Sequence, residues 1–279
     1  MPTFTTPGPI TATVEVAGAQ VRIGASDRAD TVVLVEPIDR QNRSDVRVAE
    51  KTTVDFLGGR LAVKTTVAGD KGGSVAITID LPAGSGLVAG VAYSSVQADG
   101  PLGSCELNMA SGRIQLDRVD ALRANLAGGE VAVGHIAGRA DIEGGAAAVR
   151  IGEVRGDVKL LGSSGTVWIG HAAADLDLTN SNGGFDIDRA GGNVTAMTGG
   201  HGAIRIGRLS RGHAELTNAS GNIEIGVGAG TAVRVDAKST YGSVRDTVSA
   251  QGRPDAVDDE LTVRAGTRRG DIIVHRAEG

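Results

Sequence analysis

Four aspartates surround a Gly-rich turn in the second half of the chain, and their carboxylates are its most reactive-looking groups. Asp175 and Asp177 precede the segment 180–184 (Asn-Ser-Asn-Gly-Gly), and Asp186 and Asp188 follow it. Carboxylates and carbonyls are the ligands that Ca²⁺ prefers, and paired carboxylates catalyse most glycoside hydrolysis. The nonapeptide repeat of calcium-binding coils is absent, however, and cleft-forming loops are missing. We therefore expect no metal site, no cofactor and no catalytic centre.

Two histidines and a glutamate recur at 18-residue steps. His135, Glu153 and His171 each follow a candidate strand, and such a set could hold a metal ion. If these positions stack, the two histidines lie about 10 Å apart across two strand spacings. A tetrahedral metal site needs more ligands at shorter distances, so we expect a solvated, charged edge.

A single tryptophan occupies a column of charged residues. Strand alternation directs Trp168 outward, between Arg150 and Asp186 and near Arg205. An exposed tryptophan could anchor a protein partner or stack on a sugar; the alternative is a surface ring packed under Arg150 by a cation–π contact. The candidate interaction surface comprises Arg150, Trp168, Asp186, Arg205, His135 and His171.

These residues sit on a repeat that positions them. Phrases such as Gly165-Thr-Val-Trp-Ile-Gly170 and Gly202-Ala-Ile-Arg-Ile-Gly207 recur, and the first apolar residues of the seven phrases are separated by 17, 18, 18, 18, 19 and 19 positions. Those residues are Ile114, Val131, Val149, Val167, Phe185, Ile204 and Ile223. Alternating apolar residues with this period are typical of stacked β-coils, in which no repeat buries its face alone.

A second strand precedes each of these phrases by about nine residues. Its inward pairs are Cys105/Leu107, Leu122/Ala124, Ala140/Ile142, Val158/Leu160, Leu176/Leu178, Val194/Ala196 and Ala214/Leu216. The residues between them nearly alternate in charge: Glu106, Arg123, Asp141, Lys159, Asp177, Thr195 and Glu215, with Arg234 expected next. Parallel stacking in register puts opposite charges side by side, so this order supports the same register independently.

A third apolar position follows each main strand, at Val119, Ile136, Val154, Ala172, Ala190 and Leu209. Three inward stretches per coil indicate a triangular cross-section, and the nine-residue spacing argues against a hexapeptide left-handed coil. We therefore predict an all-β fold, a single-stranded parallel β-solenoid of the right-handed β-helix type, with about 18 residues per coil. No segment shows a convincing helical pattern, because Gly interrupts nearly every window.

The two ends of the chain lack the regular period. Residues 1–85 contain candidate strands at 10–16, 21–23, 31–35, 61–67 and 75–81, and we predict an antiparallel or mixed N-terminal β-cap there. Regular coils are expected over residues 86–236. Residues 237–279 supply closing strands at 261–264 and 271–274, with a polar surface loop near 249–260.

Composition limits the functional classes. The 279 residues carry a net charge of −5 without a basic patch, which argues against nucleic-acid binding. The 43 glycines lack the Gly-X-Y period of collagen. The chain has no stretch of 18 apolar residues, no basic and apolar signal at its start, and one cysteine, Cys105, at an inward position. We expect an unreactive buried thiol, no membrane span and a cytoplasmic location.

Several phrases resemble one bacterial family. The segments 112–116 (Gly-Arg-Ile-Gln-Leu), 220–225 (Ser-Gly-Asn-Ile-Glu-Ile) and 269–274 (Arg-Gly-Asp-Ile-Ile-Val) are similar to those of the DUF4097 β-strand repeat proteins, whose members are described as adhesins. The N-terminal pattern Val14-Glu-Val, Val21-Arg-Ile, Val32 to Pro37 and Ser44-Asp-Val also resembles that family. The resemblance implies a β-strand repeat fold over nearly the whole chain, and it implies no catalytic residues.

Together these patterns predict a non-catalytic β-solenoid that acts as a protein-binding or scaffolding module and associates with a protein partner or with copies of itself. Two alternatives stay open. One is a cell-surface adhesin exported by an unrecognised route. The other is a carbohydrate-active enzyme or carbohydrate-binding β-helix, with Asp175, Asp177, Asp186 and Asp188 as the catalytic candidates.

Overall fold

The computed structural model describes residues 1–65, 72–248 and 259–277. Most of these residues lie in β-strands, and the described part contains one α-helix. The chain divides into two compact units, unit 1 (Met1–Ala137) and unit 2 (Gly138–Gly279). Within each unit, parallel strands stack as the coils of a β-solenoid, so the predicted all-β class is confirmed. No helix in the described ranges is long and apolar enough to cross a membrane.

Unit 1 combines a mixed β-cap with regular coils. Its elements are β1 (Thr3–Thr5), β2 (Thr11–Ala17), β3 (Ala19–Ser26), β4 (Asp30–Pro37), α1 (Arg43–Lys51), β5 (Thr53–Leu57), β6 (Arg60–Lys64), β7 (Val75–Pro82) and β8 (Gly86–Ile136). The coil of β2 and β3 lies between β6 and β7 on one edge and β8 on the other, all parallel. β5 pairs with β6, β4 with β7 and β1 with β4, all antiparallel, which confirms the mixed N-terminal cap.

β8 is an unbroken strand of 51 residues that turns through successive coils. Gly103 N donates to Ser85 O at 2.9 Å and Ala137 N to Val119 O at 2.9 Å, and each bond spans 18 residues. Gly112 has a φ of 134°, and a Cβ there would collide with the carbonyl of Ser94 in the preceding coil. Glycine at this corner therefore serves both the backbone conformation and the close approach of two coils.

The expectation of no helix is wrong at α1. Residues 38–57 form a stretch without glycine, and Asn42 caps the helix because its side chain accepts a hydrogen bond from Ser44 N. The helix buries only Asp45 and Val48. Asp45 is retained inside because its carboxylate accepts from Asp39 N at 3.0 Å and from Ser74 N at 2.7 Å. Val48 is the one apolar residue that the helix buries, so its sequence offers little of the apolar stripe by which a helix is recognised.

Unit 2 is a stack of parallel strands. Its elements are β9 (Ala140–Val154), β10 (Val158–Ser164), β11 (Val167–Ala172), β12 (Leu176–Asn180), β13 (Phe185–Ala190), β14 (Val194–His201), β15 (Ile204–Leu209), β16 (Gly212–Ser220), β17 (Ile223–Val227), β18 (Thr231–Tyr241), β19 (Val244–Asp246), β20 (Asp259–Arg269) and β21 (Ile272–Arg276). Val149, Val167 and Phe185 lie in register, and the file continues through Ile204 and Ile223. The predicted stacking of coils is confirmed in this unit.

The predicted inward residues form the core. All seven inward pairs and all six third positions are buried, Cys105 and Leu107 in unit 1 and Leu176 and Leu178 in unit 2 among them. Burial of each Val, Leu or Ile side chain contributes about 1.5–3 kcal/mol, so these files hold each stack together. The handedness of the coils stays a prediction.

The last coil differs from the expected order. Glu215 is in register with Arg264 rather than with Arg234, and Arg264 is in register with Asp236 on its other side. The physical reason is that the C-terminal strands β20 and β21 insert between β16–β17 and β18–β19. The corrected ladder still alternates in sign. Lys159 is in register with Asp141 and Asp177, yet it forms no ion pair among the described residues, so the ladder adds little stability.

The expected strands of the N-terminal region and the closing strands are present, with β1 and β5 in addition. Residues 66 and 67, the end of the strand predicted over 61–67, lie outside the described residues. Residues 249–258 of the predicted loop also lie outside them. β20 begins at Asp259, so the last two positions of that loop belong to a strand. The predicted boundaries at 85 and 236 stay predictions.

Candidate interaction surfaces

Four members of the candidate interaction surface form one file on unit 2. Arg150, Trp168, Asp186 and Arg205 lie in register on β9, β11, β13 and β15. The guanidinium carbon of Arg150 lies 4.7 Å from the centroid of the Trp168 ring, a cation–π contact. The ring is only half-buried, so the contact orders the ring and leaves part of it on the surface.

The other end of this file is an ionic cluster. Arg205 Nη1 lies 2.6 Å from Asp186 Oδ1 and 3.3 Å from Asp188 Oδ1. The two carboxylates raise the pKa of Arg205 above its usual value. Asp186 and Asp188 therefore both form ion pairs with Arg205. They are not a pair of unpartnered carboxylates of the kind that a glycosidase uses.

Of the other two aspartates of the candidate site, Asp175 accepts a hydrogen bond from the backbone. Asp175 Oδ1 accepts from Asn193 N at 2.8 Å, and Asp157 Oδ1 accepts from Asp175 N at 3.3 Å. The side chain at each of these turns thus caps the next coil. Asp177 lies on β12, in register with Lys159. Asp175 is held in this turn ladder, whereas Asp186 and Asp188 converge on Arg205.

The histidines occupy different places. His171 follows Trp168 on β11, in register with Glu153 and Arg189, and His135 lies near the end of β8 in unit 1. No group of three metal-ligating side chains comes together within residues 1–65, 72–248 and 259–277. The inward thiol of Cys105 is buried, and burial raises its pKa to about 12, which agrees with the expected lack of reactivity.

The outermost coil of unit 2 is a surface that sequence reasoning missed. β18 and β19 pair with β20 and β21, and no other described strand pairs with them. Leu261 and Val263 on β20 are fully buried, whereas their register partners Val233 and Val235 on β18 are only half-buried. Val244 on β19 is 43% exposed. We call the unpaired edge of β18, residues 231–241, the β18 edge.

A second missed feature is a groove in unit 1. It has a volume of about 610 Å³ and is lined by Gly18, Ala19, Gln20, Ile38, Ser74, Tyr93, Ser94, Ser95, Gly112, Arg113, Gly129 and Glu130. We call it the Tyr93 groove. Tyr93 has a φ of 51° and is 83% exposed. The one usable signal in the sequence is an aromatic residue in a chain that has few of them, and the strained backbone of Tyr93 is visible only in the structure.

Comparisons with known proteins place the chain by its family. The family model described as Toastrack DUF4097 matches residues 12–279. No protein of curated function matches the chain significantly in sequence.

Solved structures give a weaker likeness. A "putative adhesin" from Parabacteroides distasonis is 11% identical, with a TM-score of 0.43 over 98% of this chain and 95% of that one. Proteins of the same description from Parabacteroides merdae (11% identity, TM-score 0.39, 97% and 94% covered) and Bacteroides fragilis (11%, 0.31, 98% and 95%) are also similar. These likenesses carry no functional conclusion for this chain.

Proposed function

The chain belongs to the Toastrack DUF4097 family, and we propose that this member is a non-catalytic β-solenoid that acts as a binding and scaffolding module by self-association through the β18 edge. One observation carries the proposal: antiparallel strands cover the outermost coil of unit 1, whereas no described strand covers the outermost coil of unit 2.

In unit 1, antiparallel strands cover the outermost coil. β5 lies on β6 and β4 on β7, both antiparallel, and Leu61, Val63 and Ile79 beneath them are fully buried. In unit 2, the inward-facing Val233 and Val235 of β18 stay half-buried, and no described strand covers them. An unpaired strand edge with apolar side chains is a template for a further strand.

A second copy of the same chain fits this edge. Two β18 strands can pair antiparallel around a two-fold axis through Val235, the isologous arrangement usual for homodimers. Residues whose numbers add to 470 then face each other, so Val233 meets Ala237 and Arg234 meets Asp236 of the second copy. The two-fold axis produces two Arg234–Asp236 pairs of opposite charge. It also lets each copy cover the half-buried Val233 and Val235 of the other.

The test is sedimentation of the full chain over a concentration series. We expect a reversible dimer, and we expect Asp236→Lys to weaken it by at least about 10-fold, because it replaces two attractions of about 0.2–1 kcal/mol each by repulsions. The matched control is Asp177→Lys, the same charge change on an outward carboxylate of β12, whose two edges are both paired. The control should dimerise as the wild type does.

A monomer at every concentration, or equal dimerisation of Asp236→Lys and wild type, would overturn self-association. A pull-down from the native host then decides the wider proposal. If a strictly monomeric protein also recovers no partner that the Asp236→Lys change displaces, the binding-module proposal fails.

The setting of this function is also a proposal. We place it in the cytoplasm, a reducing compartment, in keeping with the single cysteine as a buried thiol. The alternative is adhesion at the cell surface. Fractionation of the native host separates the two, since a cytoplasmic scaffold is found in the soluble fraction and an adhesin with the cell envelope.

The enzyme alternative depends on the four aspartates. Arg205 pairs with Asp186 and Asp188, and Asp175 accepts from the backbone of the next coil, which supports a structural role for these carboxylates. Turnover of any member of a polysaccharide panel, lost in Asp175→Asn or Asp186→Asn, would overturn the non-catalytic proposal.

A further inference from the structure

Tyr93 is the only residue other than glycine with a positive φ among residues 1–65, 72–248 and 259–277. A bulky side chain in the left-handed region is strained, and such strain persists where the surrounding structure or a function requires it. The ring is 83% exposed, so packing of the ring in the core does not offset the strain. The position therefore displays an aromatic ring at a backbone geometry that glycine would adopt more readily.

The surroundings of the ring leave its face accessible. Tyr93 N donates to Ser111 Oγ at 3.3 Å, which ties this corner to the next coil. The corners of the following coils carry Gly112 and Gly129, both with positive φ. Tyr93, Gly112 and Gly129 all line the Tyr93 groove of about 610 Å³, and the two glycines add no side chains to it. Such a groove can hold a ligand about the size of one or two sugar rings.

The polar groups along the groove match sugar hydroxyls. Gln20 and Ser95 are register neighbours on β3 and β8, both are exposed, and neither side chain has a hydrogen-bond partner among the described residues. Arg113 Nε lies 3.0 Å from Glu130 Oε2 on the adjacent coil. The groove therefore offers an amide, a hydroxyl, a guanidinium and a carboxylate, which together donate and accept hydrogen bonds.

The charge of the groove selects the class of ligand. Arg113 and Glu130 neutralise each other, so the site has no net charge with which to attract a phosphate, a nucleic acid or a cation. An aromatic face beside neutral and paired polar groups suits a molecule with one apolar face and many hydroxyls. A pyranose has this character, because its axial C–H groups form an apolar face and its hydroxyls lie at the rim.

We propose that the Tyr93 groove binds a neutral saccharide, with one pyranose ring on the face of Tyr93 and its hydroxyls bonded to Gln20, Ser95 and the Arg113–Glu130 pair. This site is in unit 1 and is independent of the β18 edge, so it goes beyond self-association and does not depend on it.

The experiment uses the full chain and a panel of neutral oligosaccharides built from glucose, galactose, mannose and N-acetylhexosamines, with sialylated and sulfated sugars as the charged arm. Binding is measured by saturation-transfer NMR and then by calorimetry. We expect binding of at least one neutral sugar. Tyr93→Phe should retain affinity within about threefold, and Tyr93→Gly should lose at least about 10-fold.

Tyr93→Gly separates a binding role from a structural one. Because glycine accepts a φ of 51° without strain, we expect this variant to melt no lower than the wild type while it loses the sugar. Leu161→Ala, at an exposed apolar residue of β10 in unit 2, is the matched control and should bind normally. The proposal is overturned if no neutral sugar binds, if only charged sugars bind, if Tyr93→Gly binds as the wild type does, or if Tyr93→Gly melts at a lower temperature.

Discussion

The two units fill the same inward position with opposite kinds of residue. The position meant lies two residues after each inward pair, so that Asn180 follows Leu176 and Leu178. Unit 1 has apolar side chains at this position, whereas unit 2 has two glycines followed by polar side chains. In unit 1 they are Val91, Met109 and Leu126, and in unit 2 they are Gly144, Gly162, Asn180, Thr198, Asn218, Thr267 and Ser239. Asn180, Thr198, Asn218 and Thr267 are nevertheless as buried as their apolar counterparts.

The polar residues of unit 2 satisfy the corners between strands. Asn180 Nδ2 donates to Gly165 O at 3.0 Å, Thr198 Oγ1 to Gly183 O at 3.3 Å and Thr267 Oγ1 to Gly221 O at 3.2 Å. These three glycines have positive φ. A backbone carbonyl inside the fold needs a partner, and at these three corners of unit 2 the polar ladder supplies it. A solenoid interior can therefore exchange apolar burial for such a ladder without opening the core.

The two units also differ in how their outermost coils are covered. Antiparallel strands cover the outer coil of unit 1, whereas no described strand covers β18 and β19 of unit 2. In both units, a terminal strand pair is protected by insertion between other coils, β2–β3 in unit 1 and β20–β21 in unit 2. The two units differ only in the next coil outward, which is β6–β7 in unit 1 and β18–β19 in unit 2.

The largest effect should separate a closed coil from the outermost one. Ile169→Asp puts a charge into a fully buried site in register with Ile151 and Ile187, and we expect a loss of about 4 kcal/mol or more in the free energy of unfolding. Val233→Asp, at the half-buried β18 edge, should cost about 1 kcal/mol. Denaturant unfolding measures both, and equal losses would show that the β18 edge is as closed as the interior.

The polar ladder predicts an intermediate effect. Asn180→Leu removes the donor to Gly165 O and should cost about 1–3 kcal/mol, the penalty for a buried acceptor without a partner. Asn180→Thr keeps a donor, as Thr198 does, and removes the Oδ1 atom, which has no partner among the described residues. This variant should unfold within about 1 kcal/mol of the wild type. A stable Asn180→Leu would show that the corner carbonyl needs no partner.

A pH-dependent effect is expected at the outer coil of unit 2. Asp271 accepts from Ser243 N at 2.8 Å and from Ser243 Oγ at 2.9 Å, and these bonds lower the pKa of Asp271 below its usual value. Its contribution to stability is therefore present above the pKa of the unfolded chain and is lost as the pH falls through the lower folded value.

Melting temperatures from pH 7 to pH 2 test this linkage. Asp271→Asn should lower the melting temperature at neutral pH and converge with the wild type at the acidic end. A constant difference over the whole range would mean that ionisation of Asp271 does not contribute.

The smallest effect is expected at the outward ladder. Lys159 is exposed and forms no ion pair among the described residues, although Asp141 and Asp177 are its register neighbours. Lys159→Ala should therefore cost less than about 1 kcal/mol in unfolding free energy. A loss as large as that of Asn180→Leu would show that outward charges stabilise the stack as much as the inward ladder does.

Sequence periodicity predicted what depends on local alternation. The files of Val149, Val167 and Phe185 and the outward position of Trp168 follow from the 18-residue spacing, because parallel coils align equal positions. The place of Arg264 between Glu215 and Asp236 could not be predicted, since insertion of a distant strand leaves no periodic signal. α1 was missed because its buried face is two residues wide. The strain at Tyr93 depends on the path of the corner, which composition does not encode.

Hydrogen exchange at two protein concentrations tests the central claim most directly. β20 and β21 lie between other strands, so their amides should be protected at both concentrations. Alternate amides of β18 face the unpaired edge and should exchange fast in the dilute sample and slowly in the concentrated one. Equal protection of β18 and β20 in the dilute sample, or exchange at β18 that does not depend on concentration, would contradict an open edge that pairs with a second copy.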